Sequence, residues 1–286
     1  MENYSNPIER LIYSTVRIEC KTKEGNSSGS GYFFSFLDNG TKNVPCIVTN
    51  KHVIKGAYRG KFHLTLKDSN GKPNLNVHIP IEFNNFENMW ILHPDVNTDL
   101  AIFPLGPILN EAETKGINFF YTLLTTNIIA SEQLLKSLSS MEDIIMIGYP
   151  NGIWDEKHNL PIIRKGITAT HSKLPYNGKS EFMIDAACFP GSSGSPVFLA
   201  NIGSFLNEKG VLCAGTRIAL LGTLYAGPQH TVTGDIKIVN IPTDTKPISV
   251  LSVPNNLGLV IQSKKLLDFE RILQKLTEDE INNTKQ

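Results

Sequence analysis

The chain lacks an excess of charge of either sign: 27 Lys and Arg stand against 27 Asp and Glu in 286 residues, a formal net charge of zero. A nucleic-acid binder concentrates basic side chains to neutralise phosphates, so no nucleic-acid partner is expected. Long apolar runs are also missing. No stretch reaches the roughly 18 apolar residues that a membrane span needs, and the start Met1-Glu2-Asn3-Tyr4-Ser5-Asn6-Pro7 has neither the basic end nor the apolar segment of an export signal. No membrane partner is expected either. Cysteine is sparse, and the four present (Cys20, Cys46, Cys188 and Cys213) lie far apart, with no Cys-x-x-Cys spacing and no His-Cys cluster. That spacing argues against a metal site and against a disulfide framework, and the expectation is four reduced thiols in a cytoplasmic protein.

What is present is an ordinary globular composition. Hydrophobic residues make up 41% and charged residues 19%, enough to bury a core and too few charges for a disordered tail. Short strand patterns dominate. Thr15 to Cys20 alternates apolar and polar, the Gly/Ser cluster Gly25 to Gly31 follows, and the aromatic run Tyr32 to Phe36 comes next. Further strands are expected at 44–49, 61–67, 76–83, 89–93, 99–104, 143–149, 161–170, 181–187, 195–200, 211–225, 235–240 and 257–262. Many short strands between turns point to barrels or sandwiches and away from alternating βαβ units. Helical pattern is confined to Ile8–Tyr13, Ser131–Leu138 and a clear apolar period from Ser263 to Leu273. Between about 106 and 140 the strand signal weakens, which places a connection there.

The segment richest in chemistry is Phe189-Pro190-Gly191-Ser192-Ser193-Gly194-Ser195-Pro196-Val197. Its glycines permit a sharp turn that presents Ser193, and the N–H groups of Gly191 and Ser193 can converge as an oxyanion hole. It does not fit the Gly-x-Ser-x-Gly elbow, because Ser195 stands at the second glycine and no helix pattern follows. Alone it is also compatible with a plain turn between two strands. Upstream, Ile47-Val48-Thr49-Asn50-Lys51-His52-Val53 ends a strand in a histidine, and Thr98-Asp99-Leu100-Ala101-Ile102 begins one with an aspartate. Asp95 is the rival acid, but it follows His93-Pro94 in a loop. The remaining histidines, His63, His78, His93, His158, His171 and His230, read as surface or turn residues.

At these residues the sequence resembles the trypsin/chymotrypsin-like serine proteases, and among them the bacterial trypsin-like peptidases related to the HtrA (Deg) protease domain. Ile184 to Val197 is similar to that family's Thr-Asp-Ala-Ala-Ile-Asn-Pro-Gly-Asn-Ser-Gly-Gly-Pro segment, and Thr49-Asn50-Lys51-His52-Val53 to its Thr-Asn-x-His-Val. Gly258 to Ser263 is similar to the segment that closes the protease domain, and no counterpart of the PDZ domains follows. Three departures stand out: Ser192 for Asn or Asp, Ser195 for Gly, and a long stretch from Gly222 to Asn256.

The resemblance implies an all-β fold of two six-stranded antiparallel β-barrels with a short N-terminal helix and a C-terminal helix. Residues 1–125 would form the barrel carrying His52 and Asp99, 126–262 the barrel carrying Ser193, and 263–286 the helix and tail. It implies a serine endopeptidase with catalytic residues His52, Asp99 and Ser193, an oxyanion hole at Gly191 and Ser193, and no cofactor. Ala187 would lie at the floor of the substrate pocket, with Leu224, Tyr225 and Ala226 on its wall. With no carboxylate at that floor, small to medium apolar substrate side chains are expected and Lys and Arg disfavoured. The partner is a polypeptide substrate. The alternative is a silent or latent module of the same fold that binds, or that a partner switches on.

Overall fold

The computed structural model describes residues 6–227, 229–233, 250–254 and 256–283; the strand expected at 235–240 lies outside them. The chain enters through α1 (Pro7–Leu11), where the Asn6 side chain accepts from Ile8 N–H and Pro7 occupies the first turn. A 3-10 turn (Ile12–Ser14) then leads into the first sheet.

That sheet contains β1 (Thr15–Thr22), β2 (Gly25–Phe36), β3 (Val44–Thr49), β4 (Arg59–Lys67), β5 (Pro73–Asn84), β6 (Ile91–Leu92), β7 (Ala101–Pro104) and β8 (Phe119–Phe120). In β1 the alternation is kept: Val16, Ile18 and Cys20 are buried, whereas Arg17 and Glu19 lie on the outer face. The hydrogen-bonded order is β5-β4-β1-β2-β3-β7-β6, with β8 against β4. This departs from the closed barrel expected, because the two end strands do not pair. The reason lies between Asn84 and Ile91. Asn85 adopts φ +53° and starts a 3-10 turn (Phe86–Met89) that drops Phe86 and Trp90 into the core, so only two residues remain for β6. The ends of the curled sheet meet through rings instead, Phe83 and Phe62 standing 5.2 and 5.5 Å from Phe103.

The second sheet contains β9 (Asp143–Gly148), β10 (Ile162–Thr168), β11 (Glu181–Asp185), β12 (Pro196–Asn201), β15 (Arg217–Ala226) and β18 (Leu257–Gln262). These six close into a barrel in the order β10-β11-β18-β15-β12-β9. Two hairpins stand apart from it, β13 (Ser204–Leu206) with β14 (Leu212–Ala214), and β16 (Gln229–Thr233) with β17 (Val250–Pro254). The strand expected over 211–225 is thus split, Gly215 at φ +149° turning the chain between β14 and β15.

Helices occupy the connections. α2 (Lys51–Ile54) follows β3, and α3 (Gly106–Thr114) falls where the strand signal had faded. α4 (Glu132–Ser137) is capped by the Ser131 side chain, and α5 (Asp268–Asn283) continues a 3-10 turn (Ser263–Leu267). α5 lays Phe269 and Leu273 onto a core shared by both sheets, with Tyr32, Phe34 and Phe36 from the first and Ile145, Phe198 and Leu220 from the second. Tyr32 also reaches across to Thr223, oxygen to oxygen at 2.8 Å, so the two sheets share a buried polar tie as well as apolar area.

Candidate active site

β3 runs into the core through Cys46, Ile47 and Val48 and ends at Thr49, where α2 begins. Val53 and Ile54 anchor that turn inward, and the His52 side chain is left 46% exposed. β7 lies beside β3, and Asp99, just before it, faces α2. One Asp99 oxygen accepts from the His52 backbone N–H at 3.1 Å; the other stands 2.5 Å from imidazole Nδ1. The Asn50 amide donates to the Asp99 carbonyl at 2.7 Å and fixes the backbone of that carboxylate. A carboxylate at Nδ1 holds the proton there and leaves Nε2 as the basic nitrogen. Asp95, the rival acid, is occupied elsewhere. Thr98 and the Asn97 N–H bind its carboxylate, Lys265 adds its ammonium, and together they hold its pKa at about 2.

The turn bearing Ser193 joins β11 to β12. Gly191 and Gly194 both have positive φ, +82° and +86°. At Gly194 a Cβ would stand 1.9 Å from the Ser30 carbonyl, so only glycine fits. The N–H groups of Gly191 and Ser193 have no partner among the described residues, whereas Ser192 N–H donates to Phe189 and Gly194 N–H to Leu224. Ser193 Oγ donates to the Tyr225 carbonyl at 3.4 Å, and no hydrogen bond joins it to His52. The structure therefore pairs His52 with Asp99 and sets Ser193 apart from that pair.

Two residues that sequence reasoning passed over organise this turn. Ser30, within the Gly/Ser cluster of β2, donates its N–H to the Ser193 carbonyl at 2.8 Å and its hydroxyl to the Gly191 carbonyl at 2.9 Å. Its own carbonyl accepts from Thr49 Oγ1 at 2.7 Å, three residues before His52. The histidine strand and the serine turn thus meet on one residue. Arg164 on β10 is the second. It is buried, and its Nη1 donates to the Ala187 carbonyl at 2.8 Å and to Ser192 Oγ at 2.6 Å. The Gly29-Ser30-Gly31 run, and an arginine directly after the apolar pair Ile162-Ile163 of a strand, were the available signals.

Of the expected pocket residues, Ala187 presents its carbonyl to Arg164 and its side chain is half-buried. Leu224 packs inside the barrel with Val260 and Phe182, so only its backbone borders the turn. Tyr225 is the extra residue of a bulge between Leu224 and Ala226, and both it and Ala226 are half-buried. Burial pushes the Tyr225 phenol well above its ordinary pKa, and the Glu181 carboxylate adds to the rise. His93 is not a surface residue: it is buried, with Nε2 3.0 Å from the Lys265 carbonyl and its ring edge-on to Phe269 at 5.1 Å.

A family model described as a trypsin-like peptidase domain matches residues 29–205. No curated protein matches the sequence. Among solved structures the chain is similar to a serine endoprotease from Yersinia pestis, at 18% identity and a TM-score of 0.45, over 98% of this chain and 68% of that one. It is similar to the Rv3671c protease from M. tuberculosis in its active form, at 15% identity and a TM-score of 0.44, over 92% of this chain and 82% of that one. It is also similar to the HtrA-type protease AlgW with a tripeptide, at 16% identity and a TM-score of 0.44, over 94% of this chain and 63% of that one.

Proposed function

The chain belongs to the trypsin-like peptidase family and is a serine endopeptidase, and from that premise we propose that it cleaves polypeptides through Ser193, His52 and Asp99 by way of a covalent acyl-enzyme. The observation that carries this reading is the His52–Asp99 contact at 2.5 Å, made between α2 and the approach to β7, apart from the turn that presents a serine between two positive-φ glycines.

Each role follows from what a hydroxyl cannot do alone. Ser193 Oγ is a weak nucleophile until a base removes its proton as it attacks the carbonyl carbon. His52 Nε2 accepts that proton and returns it to the leaving amine, and Asp99 holds the ring in the needed tautomer and offsets the imidazolium charge. The two unpartnered N–H groups, of Gly191 and Ser193, stabilise the oxyanion as it forms. Water then repeats the sequence on the acyl-enzyme. Labelling with a fluorophosphonate tests nucleophile and oxyanion hole together: the adduct should map to Ser193 and vanish in Ser193→Ala, and an unlabelled wild-type protein overturns the reading.

One observation favours a second reading. Ser193 Oγ rests on the Tyr225 carbonyl, so attack requires the side chain to leave that acceptor and turn to His52. In this reading the module is latent until a substrate or partner occupies the Tyr225 carbonyl. Labelling that is slow alone and accelerates when a peptide ligand is added distinguishes it.

A further inference from the structure

His63 lies on β4 and His78 on the neighbouring β5, where His78 is the cross-strand partner of Thr65 and His63 that of Pro80. The two imidazoles are diagonal neighbours on the ladder. Their Nδ1 atoms stand 3.1 Å apart and their ring centroids 5.1 Å. The other nitrogen of each ring is already engaged. His78 Nε2 is 3.1 Å from the Glu156 backbone carbonyl, and His63 Nε2 is 3.5 Å from a Glu19 carboxylate oxygen. The Glu156 carbonyl only accepts, so His78 Nε2 carries that ring's proton and His78 Nδ1 is a lone pair, which the His63 Nδ1–H meets when that ring is neutral. An ion that displaces this single proton finds a lone pair on each Nδ1, with His63 Nε2 left facing the Glu19 carboxylate.

We propose that His63 and His78 form a two-histidine site for a transition-metal ion of the zinc and copper class, bound through the two Nδ1 atoms. With metal–nitrogen bonds of about 2.0–2.1 Å, the 3.1 Å separation gives an angle of about 100° at the metal, near the tetrahedral value. Imidazole suits zinc, copper and nickel alike. Holding each remaining N–H on a backbone carbonyl or a carboxylate is how metal-ligating histidines fix ring orientation. Trp154 covers the site, its ring centroid 5.1 Å from that of His63 and 5.7 Å from that of His78. The nearby cations, Arg17 and Lys61, both pair with Glu19, which offsets their charge. Two side chains supply the protein ligands and solvent the rest. The sequence concealed the pair because 15 residues separate them and only the hairpin register brings them together.

The site also touches the catalytic half. Glu156 follows the 3-10 turn Pro150–Gly152, and Asn151 N–H within that turn donates to the Pro190 carbonyl beside Gly191. A bound ion would hold the His78 ring with its Nε2–H on the Glu156 carbonyl, and so reinforce the existing tie between the first sheet and the segment that follows that turn.

The test titrates the full chain, stripped with a chelator, with Cu²⁺ while tryptophan fluorescence is read. The chain has two tryptophans, and Trp90 is buried in the first sheet's core, so quenching by an ion at the histidine pair reports on Trp154. We expect a saturable quench at one equivalent, reversed by EDTA. His78→Gln, which keeps a donor for Glu156 but has no ring lone pair, and His78→Ala should both abolish it, whereas Glu19→Gln should weaken binding about tenfold. His158→Ala, at the imidazole–carboxylate contact with Asp155, should leave it unchanged. Absence of the quench in the wild type, or its survival in both His78 variants with one metal per chain by equilibrium dialysis, overturns the site. Neither readout involves substrate, so the result stands apart from the proteolytic reading.

Discussion

The Arg164 guanidinium donates to Ser192 Oγ at 2.6 Å and to the Ala187 carbonyl at 2.8 Å, so one buried cation on β10 holds two points of the loop that leads into Ser193. Its Nε and Nη2 have no partner among the described residues, and burial lowers its pKa to about 10. A buried charge with unpaired donors opposes folding, so its contribution lies in positioning. Arg164→Met should therefore keep or raise the melting temperature while kcat falls about a hundredfold, the scale of a misplaced catalytic group, with KM little changed. Steady-state kinetics beside a melting curve check it; loss of stability in step with kcat would make Arg164 merely structural.

Serines 193 and 195 should part company. Ser193→Ala should lower turnover about a millionfold, because the triad acts as a unit. Ser195 Oγ is buried with no partner among the described residues, packed where a Cβ on Gly148 would meet it, so Ser195→Ala should keep activity and add about 1 kcal/mol of stability. Asp99→Asn should fold normally yet lose about ten-thousandfold in turnover through the wrong imidazole tautomer. Equal inactivity of the two serine variants would move the nucleophile.

Substrate preference can be read from Ala187. With a guanidinium already on its carbonyl, a second cation buried beside it would be repelled as well as unpaired. Cleavage of an unbiased peptide library should show Lys and Arg strongly depleted before the cut bond and small to medium apolar residues accepted. Strict cutting after basic residues would refute the pocket assignment.

Alkaline pH should loosen the fold. Burial pushes the thiols of Cys20 and Cys46 up to about 12 and that of Cys188 to about 11. Unfolding lets them ionise near the ordinary value of about 9, so their contribution is fully present below that pH and is lost as pH rises above it. Denaturation midpoints should fall between pH 9 and about 10, before tyrosines titrate, and a flat profile there would contradict the burial. All four cysteines are free, and native protein at pH 8 should leave these three slow to alkylate.

The legible parts of this molecule are those decided within a few residues of chain. Val16, Ile18 and Cys20 declare their face by alternation, Ser131 marks its helix, and the glycines around Ser193 declare a turn because nothing else fits their φ. His52 and Asp99 could be picked out at strand ends, but their contact depends on β3 lying beside β7. Arg164 and Ser30 stayed hidden because their partners lie on distant parts of the chain, and the His63–His78 pair because it depends on the register of its hairpin. The open first sheet did too, since it turns on one left-handed asparagine, Asn85, shortening a strand.

Ser30 has a bearing on how the protein is made. During synthesis the His52–Asp99 segment emerges long before the Ser193 turn, and the turn that emerges later takes its shape from hydrogen bonds to a residue near the start. If Ser193 is the nucleophile, as proposed, neither half of the chain alone holds it in its finished setting. A growing polypeptide would then stay inert toward itself and its neighbours on the ribosome until the last strands dock.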